Sequence, residues 1–374
     1  MRPLRVLVMN NYPLDRTWDE VRRGDKPDHH LYGLNHLQAM GHEIRIVDGD
    51  GARLLRRLGD ALRALRSPVQ PGPPHRLWAA WRGLPEADVV YAPCGGEIDA
   101  LAWLRAGGWL HTPLVALQHH ALNPGRLAAL REPLVRALVR GVDAFPALSA
   151  RAAAEINARV PAGEAPKSAP LAWGPDAAFY PVAEGPGRGA LAAGRTGRDF
   201  ATFALGAARA GVAATVIGAP GPWLDAGPFG PTVRLKLPPA DAMLGYRELM
   251  PAHAAARVIA IPLHASPDAL AGLTSLADAL ALGRPVVMTR NAFIDLDLEA
   301  EGIGRWVAPG DVDGWAAALA WFEQHPAQAQ AMGRRARRLV TDGDWNSRRF
   351  AERIARLLEA AVAGRAPTGA PVAT

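Results

Sequence analysis

Residues 270–287 read LAGLTSLADALALGRPVV, an apolar run interrupted by Thr274, Ser275 and a single carboxylate, Asp278. On a helix opening near Leu273, Leu276 and Leu280 share one face, and Asp278 lies about 160° from both at roughly 100° per residue. Thr274 sits one turn before Asp278 on the same side, with Ser275 close by. Such a helix is expected to bury its leucines and to present Thr274, Ser275 and Asp278 toward its start. A helix start carries unpaired N–H groups and partial positive charge, so it can hold an anion. Gly272 lets a ligand come close to the backbone there, and Asp278 can accept hydrogen bonds from a diol. A phosphate at the helix start with a ribose beside the acid is how a nucleotide would lie. A capped helix with a solvated aspartate is the plainer reading of the same residues.

Histidines supply the other candidates. His119 and His120 end the apolar stretch PLVALQHH (113–120), and His29 and His30 follow GDKPD (24–28) and open a helical pattern. Any of the four could touch a substrate; as plain structure they are a solvent-facing pair and a polar helix start. The chain has no H-E-x-x-H, no D-x-D at a strand end and one cysteine, Cys94, so neither a metal nor an intrachain disulfide is expected. Cys94 reads as a small buried hydrophobe.

The elements that must position these residues alternate. Short apolar runs at 4–10, 43–48, 87–93, 113–120 and 142–149 predict strands, and a stripe at Leu31, Leu34, Leu37 and Met40 within 29–43 predicts a helix that Gly41 stops. The polar stretch 10–30 reads as a long loop. After a Pro/Gly-rich stretch the alternation restarts. Strands are expected at 189–195, 212–218, the end of 248–263, 284–289 and 304–311, and helices at 198–211, 312–322 and 346–362. Repeated strand–helix–strand means parallel sheets. The expected architecture is α/β with two doubly wound, Rossmann-like domains. These are 1–165 and 189–345, joined by a linker at 166–188, with a helix at 346–362 returning toward the first domain and a loose tail at 363–374. Ligands of such folds sit at the carboxyl ends of the strands, and here also in a cleft between domains.

Seven segments in order resemble the family-4 retaining glycosyltransferases of the GT-B fold. AMGHEIRIVD (39–48), PLVALQHH (113–120), DAFPALSARAAAEI (143–156), WGPDAAFYP (173–181), AAGRTGRDF (192–200), the opening run and VAPGDVDGWAAAL (307–319) each look like a family element. The resemblance implies transfer of a sugar from a nucleotide-diphosphate sugar to an acceptor, with retention and without metal or cofactor. It implies an acceptor in the first domain and the donor in the second. Gly194, Gly272, Leu273, Thr274, Ser275 and Asp278 would bind the donor, with Asp278 on the ribose. Arg195 and Arg198 would neutralise the leaving diphosphate, and His119 would work beside the sugar, with His29, His30, His120 and Asp268 as further contacts. Two departures stand out. The family has two glutamates separated by seven residues, and the first falls here on Leu270, with Asp268 two residues earlier. Its phosphate loop carries a lysine where this chain has only arginines, which offer a fixed fork instead of a point charge.

Net charge is +6, yet only Lys26, Lys167 and Lys236 among 42 basic residues are lysines, which speaks of an arginine-rich bacterial genome more than of nucleic acid. No uncharged run approaches the roughly 18 residues of a membrane span, and the start lacks a signal-peptide pattern, so a cytoplasmic protein is expected. One basic cluster, 52–68, carries leucines on one helical face and Arg53, Arg56, Arg57, Arg63 and Arg66 beside it, with Trp78 and Trp81 following. It fits either a packed helix or peripheral contact with the anionic inner face of a membrane. A nucleotide-sugar epimerase, an inverting transferase and a non-catalytic binding subunit are the rivals.

Overall fold

The computed structural model describes residues 2–47, 55, 57, 72–239, 242, 244–265 and 269–364. Most of the basic stretch 52–66, and Asp268, lie outside the described residues. The chain divides into two compact units, one of Met1–Asp19, Leu31–Ala172 and Arg348–Thr374, the other of Glu20–His30 and Trp173–Ser347.

The first unit holds β1 (Arg5–Val8), β2 (Glu43–Ile46), β3 (Val89–Ala92) and β4 (Leu114–Ala116), all parallel, in the order β2-β1-β3-β4. β3 and β4 are buried along their whole length, as expected where helices cover both faces of a parallel sheet. Chain order reverses between β1 and β3, so the crevice at their carboxyl ends is the switch point of this sheet. The C-terminal helix Ser347–Val362 packs here, close enough that a Cβ on Gly33 would meet Ala351 Cβ at 2.9 Å.

The second unit holds β5 (Ala190–Ala193), β6 (Ala214–Ile217), β7 (Val233–Lys236), β8 (Val258–Ile261), β9 (Val286–Thr289) and β10 (Gly304–Val307). They form a parallel sheet in the order β10-β9-β8-β5-β6-β7, whose switch point lies between β5 and β8. β5 reads ALAA, and such small residues leave room for Phe203, Trp315, Leu319 and Phe322 in the core above the sheet. Trp315 is 1% exposed and lies edge-on to Phe203. Gly206 lets the helices Phe200–Ala210 and Val312–Gln324 meet, since a Cβ there would stand 2.5 Å from Trp315 Cβ.

Four expectations need correction. The polar stretch 10–30 contains the helix Leu14–Arg22 and a 3-10 turn at Asp28–Leu31, because Leu14 and Thr17 find burial. The helix expected from the stripe beginning at Leu31 and stopped by Gly41 shrinks to Leu34–Ala39, since Tyr32 (φ 48°) and Gly33 (φ 84°) are both left-handed. No strand forms at 142–149. Pro146 has no N–H to give, and the segment makes only isolated bridges, Ala144 to Val115 and Ala147 to Gln118 and Pro170. The helix Pro326–Thr341 and strand β7 were not foreseen.

Candidate functional site

The candidate site lies in the second unit, at the β5/β8 switch point. Beyond β5 the chain turns through Gly194 (φ 151°) and Gly197 (φ 65°) to Arg198. Two backbone bonds tie this loop to the end of β8, His264 N to Gly197 O (2.9 Å) and Asp199 N to Pro262 O (3.2 Å). Arg198 folds back over Gly194, whose missing side chain makes the space: a Cβ there would stand 2.1 Å from Arg198 Nε. Its guanidinium donates to Ser275 Oγ at 2.7 Å and to Ala193 O at 3.3 Å. Nη1 is shielded from solvent and has no partner among the described residues. Burial pulls the Arg198 pKa down to about 10, opposed by Asp278. A cation held in this way, half-buried and short of one partner, favours an anion.

Across from Arg198 stands the start of the helix Leu273–Leu282. Gly272 is its N-cap (φ 86°) and supplies no side-chain cap, so the first-turn amides keep their hydrogen-bonding capacity for a ligand. Gly272 is demanded by packing as well, since a Cβ would meet Met288 Cε at 2.7 Å and Ile261 Cγ2 at 2.9 Å. Asn291, just past β9, steadies the preceding loop by donating to Ala269 O (3.2 Å) and Ala271 O (3.4 Å). Leu270 is partly buried in that loop. Thr274 and Ser275 are partly exposed and Leu273 is buried.

Asp278 differs from expectation. The helix buries every residue from Leu276 to Leu282, and Asp278 is 7% exposed. Tyr180 Oη donates to Asp278 Oδ1 at 2.5 Å, and Tyr246 supplies a second hydrogen bond. Two tyrosines thus cover the face that helical periodicity assigned to a ligand. Burial raises the Asp278 pKa to about 7 against the pull of Tyr180, Tyr246 and Arg198, and holds the Tyr180 hydroxyl far above its ordinary range, with Asp278 adding to the effect. Tyr246 Oη is 2.7 Å from His30 Nε2. Beside it His29 is buried among His30 and Trp173, with ring centroids 4.3 and 4.7 Å away, and Trp173 Nε1 donates to His29 O at 3.2 Å. Burial, with help from Lys26, lowers the His30 pKa to about 3.

The expected residues therefore fall into two groups in this unit. Gly194, Arg198, Gly272, Leu273, Thr274 and Ser275 come together around the open helix start. Asp278, His29 and His30 belong to the tyrosine cluster behind it. Arg195 is exposed at the surface of the loop. Tyr180 and Tyr246 were missed as site residues. Tyr180 lies inside WGPDAAFYP, a segment whose resemblance could have drawn attention to it; nothing in the sequence marks Tyr246.

His119 and His120 lie in the first unit, just beyond the edge strand β4. His119 Nε2 is 2.7 Å from Pro93 O and 3.9 Å from Cys94 Sγ, and its ring lies 5.3 Å from that of Tyr32. Burial lowers its pKa to about 4 despite Pro93 O. His120 is exposed. Cys94 is no nucleophile here, because burial and Glu97 push its thiol up to about 12. Tyr12 and Tyr32 pair nearby, Asn10 Nδ2 donates to Tyr12 O, and Arg76 bridges Asn10 O and Glu97.

Among the described residues no three His, Cys, Asp or Glu side chains gather as a metal site, and no helix is long and apolar enough to cross a membrane. No family model and no curated protein matches the chain. Solved structures do. Sucrose-phosphate synthase from Thermosynechococcus elongatus is 15% identical at TM-score 0.64, covering 96% of this chain and 100% of that one. HepE from Anabaena, in complex with UDP, is 14% identical at TM-score 0.63, covering 96% and 100%. A glycosyltransferase from Rickettsia africae is 12% identical at TM-score 0.64, covering 97% and 99%. At such identities the likeness speaks for architecture, and with parallel sheets of four and six strands in two α/β units this chain has the GT-B fold.

Proposed function

We propose that the protein is a glycosyltransferase that takes a sugar from a nucleotide-diphosphate donor, with the diphosphate at the start of the helix Leu273–Leu282. One observation carries the reading: the shielded Arg198 guanidinium, whose Nη1 has no partner among the described residues, beside an uncapped helix start at the switch point of the sheet. HepE, of the same fold, has been seen with UDP and with UDP-glucose. Arg198 and the amides of Leu273, Thr274 and Ser275 stabilise the negative charge that grows on the diphosphate as the sugar–oxygen bond breaks. Arg195, on the same loop, adds a second positive charge. The acceptor hydroxyl attacks from the face the nucleotide leaves, which retains configuration, and no metal is needed because the arginines and helix start supply the positive charge. The first unit offers the acceptor side, with His119 among Tyr12 and Tyr32 at the ends of β1, β3 and β4. The protein works in the cytoplasm, at the inner membrane face when the basic stretch 52–66 meets anionic lipid. Trp78 and Trp81, 52% and 48% exposed on the helix Pro74–Gly83, would then anchor it.

Incubation with a panel of nucleotide sugars and candidate acceptors tests this. Nucleotide release with a glycosylated product of unchanged anomeric configuration is expected. Binding without turnover would make the chain a binding subunit, as Leu270 in place of an acid would suit, and an epimerised donor would make it an epimerase.

A further inference from the structure

Two buried polar side chains at and just past the end of β9 hold both described ends of the segment that joins β8 to the helix Leu273–Leu282. Thr289 accepts through Oγ1 from Leu263 N at 3.0 Å. Leu263 in turn lies in an isolated antiparallel bridge with Arg198, so this bond reaches the backbone of the residue proposed to meet the anion. Asn291 holds the other end. Its Oδ1 accepts from Phe293 N at 2.9 Å, an Asx turn. That bond fixes which end of the amide is which. Nδ2 faces the carbonyls of Ala269 and Ala271, 3.2 and 3.4 Å away, with one proton for each. The opposite assignment would set an oxygen against two oxygens and an NH2 group against an N–H. Ala271 O belongs to the peptide that leads into Gly272, the N-cap of the helix. A planar trans peptide points its C=O and N–H in opposite directions, so the fixed Ala271 O turns the Gly272 N–H away from Asn291.

We propose that Asn291 is a positioning residue of the transfer site: its side-chain amide holds the carbonyls of Ala269 and Ala271 off the diphosphate and sets the direction in which the amides of Gly272 and the first helical turn meet it. The inference rests on the anion site proposed for Arg198 and the helix start. A carbonyl oxygen carries partial negative charge, so a loop free to turn either carbonyl toward the anion would weaken the field that the helix start and Arg198 provide. A loop already fixed needs no rearrangement while charge grows on the leaving diphosphate. An asparagine suits this task where an aspartate would not. One neutral group supplies two donors for the carbonyls and one acceptor for Phe293 N, and it adds no negative charge beside a site that must attract it. Asn291 acts through the loop and not by contact with the ligand.

The test uses the full chain, labelled with 15N, and inorganic pyrophosphate, which has the diphosphate and neither base nor sugar. The N–H signals of Gly272, Leu273 and Thr274 are followed in the wild type, Asn291→Ala and Asn291→Ser. Serine at 291 is neutral and can still accept from Phe293 N, but its one proton cannot serve two carbonyls. In the wild type the signals should shift saturably. Both variants should bind pyrophosphate roughly five- to tenfold more weakly, the order of one hydrogen bond, and their Gly272 and Leu273 signals should move less at saturation. If Asn291 only makes the turn, serine restores wild-type binding. Binding by either variant within about twofold of the wild type, less than one such bond is worth, overturns the inference. So does full-sized movement of the Gly272 and Leu273 signals in a variant that binds weakly. Signals from the strands report folding, and if Asn291→Ala does not fold, Asn291→Ser decides. If pyrophosphate moves none of the followed signals in the wild type, the anion site itself fails, and the inference with it.

Discussion

Arg198→Ala separates binding from folding in this protein. In the free chain the substitution removes two hydrogen bonds, to Ser275 Oγ and Ala193 O, each worth about 1 kcal/mol net. It also removes the cost of shielding a guanidinium that lacks a partner at Nη1. The two effects oppose each other, so the melting temperature of the free protein should move by no more than a few degrees. With ligand the effects no longer cancel. A hydrogen bond between charged groups contributes about 1.5–3 kcal/mol, and Arg198 offers a nucleotide diphosphate at least one, so affinity should fall roughly 10- to 150-fold. A donor at a hundred times its dissociation constant stabilises the folded state by about 2.7 kcal/mol. In a unit of roughly 150–250 residues each kcal/mol is worth about 2–4 °C. The wild type should therefore gain about 5–11 °C, while a mutant weakened a hundredfold should gain only about 1 °C. Differential scanning fluorimetry across a nucleotide-sugar panel, followed by calorimetry on the best binder, measures both numbers. A mutant that keeps the full ligand-induced shift would show that the diphosphate does not lie against Arg198, and the reasoning from its shielded Nη1 would fail.

Other outcomes follow from the same geometry. Gly194→Ala should reproduce the binding loss of Arg198→Ala in the same assay, because its Cβ would occupy the place of Arg198 Nε. Gly206→Ala should lower the denaturation midpoint, at a cost of about 1–3 kcal/mol for overpacking, without touching ligand affinity, since it forces the helices Phe200–Ala210 and Val312–Gln324 apart. Asp278→Asn should alter the pH dependence of stability. The folded pKa, about 7, lies above the ordinary value of 3.8, so the native state binds the extra proton between those limits. Its contribution is fully present below about pH 4 and is lost as pH rises toward 7, at up to about 1.4 kcal/mol per unit. Because His30 titrates with the opposite sign below 6.5, the quantity to measure is wild type minus Asp278→Asn in urea at pH 5 and pH 8, and a flat difference would contradict the raised pKa. Replacing Arg53, Arg56 and Arg57 with Ser should cost roughly 3 kcal/mol of affinity for anionic vesicles, with added salt mimicking the change; wild-type protein that stays in the supernatant at low salt removes the membrane from the account.

The sheets were legible because buried parallel strands write themselves as uninterrupted apolar runs. VLV after Arg5, VVYA at β3, VIAI at β8 and VVMT at β9 all stand out from their surroundings. β7 was not legible, since it lies at the edge and reads VRLK, alternating partly buried and exposed residues. The polar stretch 10–30 misled for a related reason. Asp15, Arg16, Asp19 and Glu20 outnumber the apolar positions of LDRTWDEVR, yet a short helix needs only a few of them, and here Leu14 and Thr17 are enough.

Within the site, spacing carried the backbone features further than the side chains. Gly272 and Gly283 frame the helix Leu273–Leu282 as its two left-handed ends, and a glycine before a polar–apolar run followed by Gly-Arg-Pro is readable in one dimension. The surroundings of Asp278 are not. A helical wheel distinguishes the leucine face from the aspartate face and assumes that the polar face meets water or ligand. Here Tyr180, 98 positions earlier, and Tyr246, 32 positions earlier, close over that face. Periodicity measures one helix's own pattern, whereas burial depends on what other segments bring to it. The same gap explains the two arginines. Arg195 and Arg198 are equivalent as letters in AAGRTGRDF, but only Arg198 lies where a missing Cβ at Gly194 lets its guanidinium turn inward to Ser275. The inward guanidinium is shielded, and burial pulls its pKa down to about 10 against the opposing pull of Asp278. The proposed anion site depends on that glycine as much as on the cation, so lysine at position 198 would keep the charge and lose the fork that reaches Ser275 Oγ and Ala193 O while leaving Nη1 for the ligand.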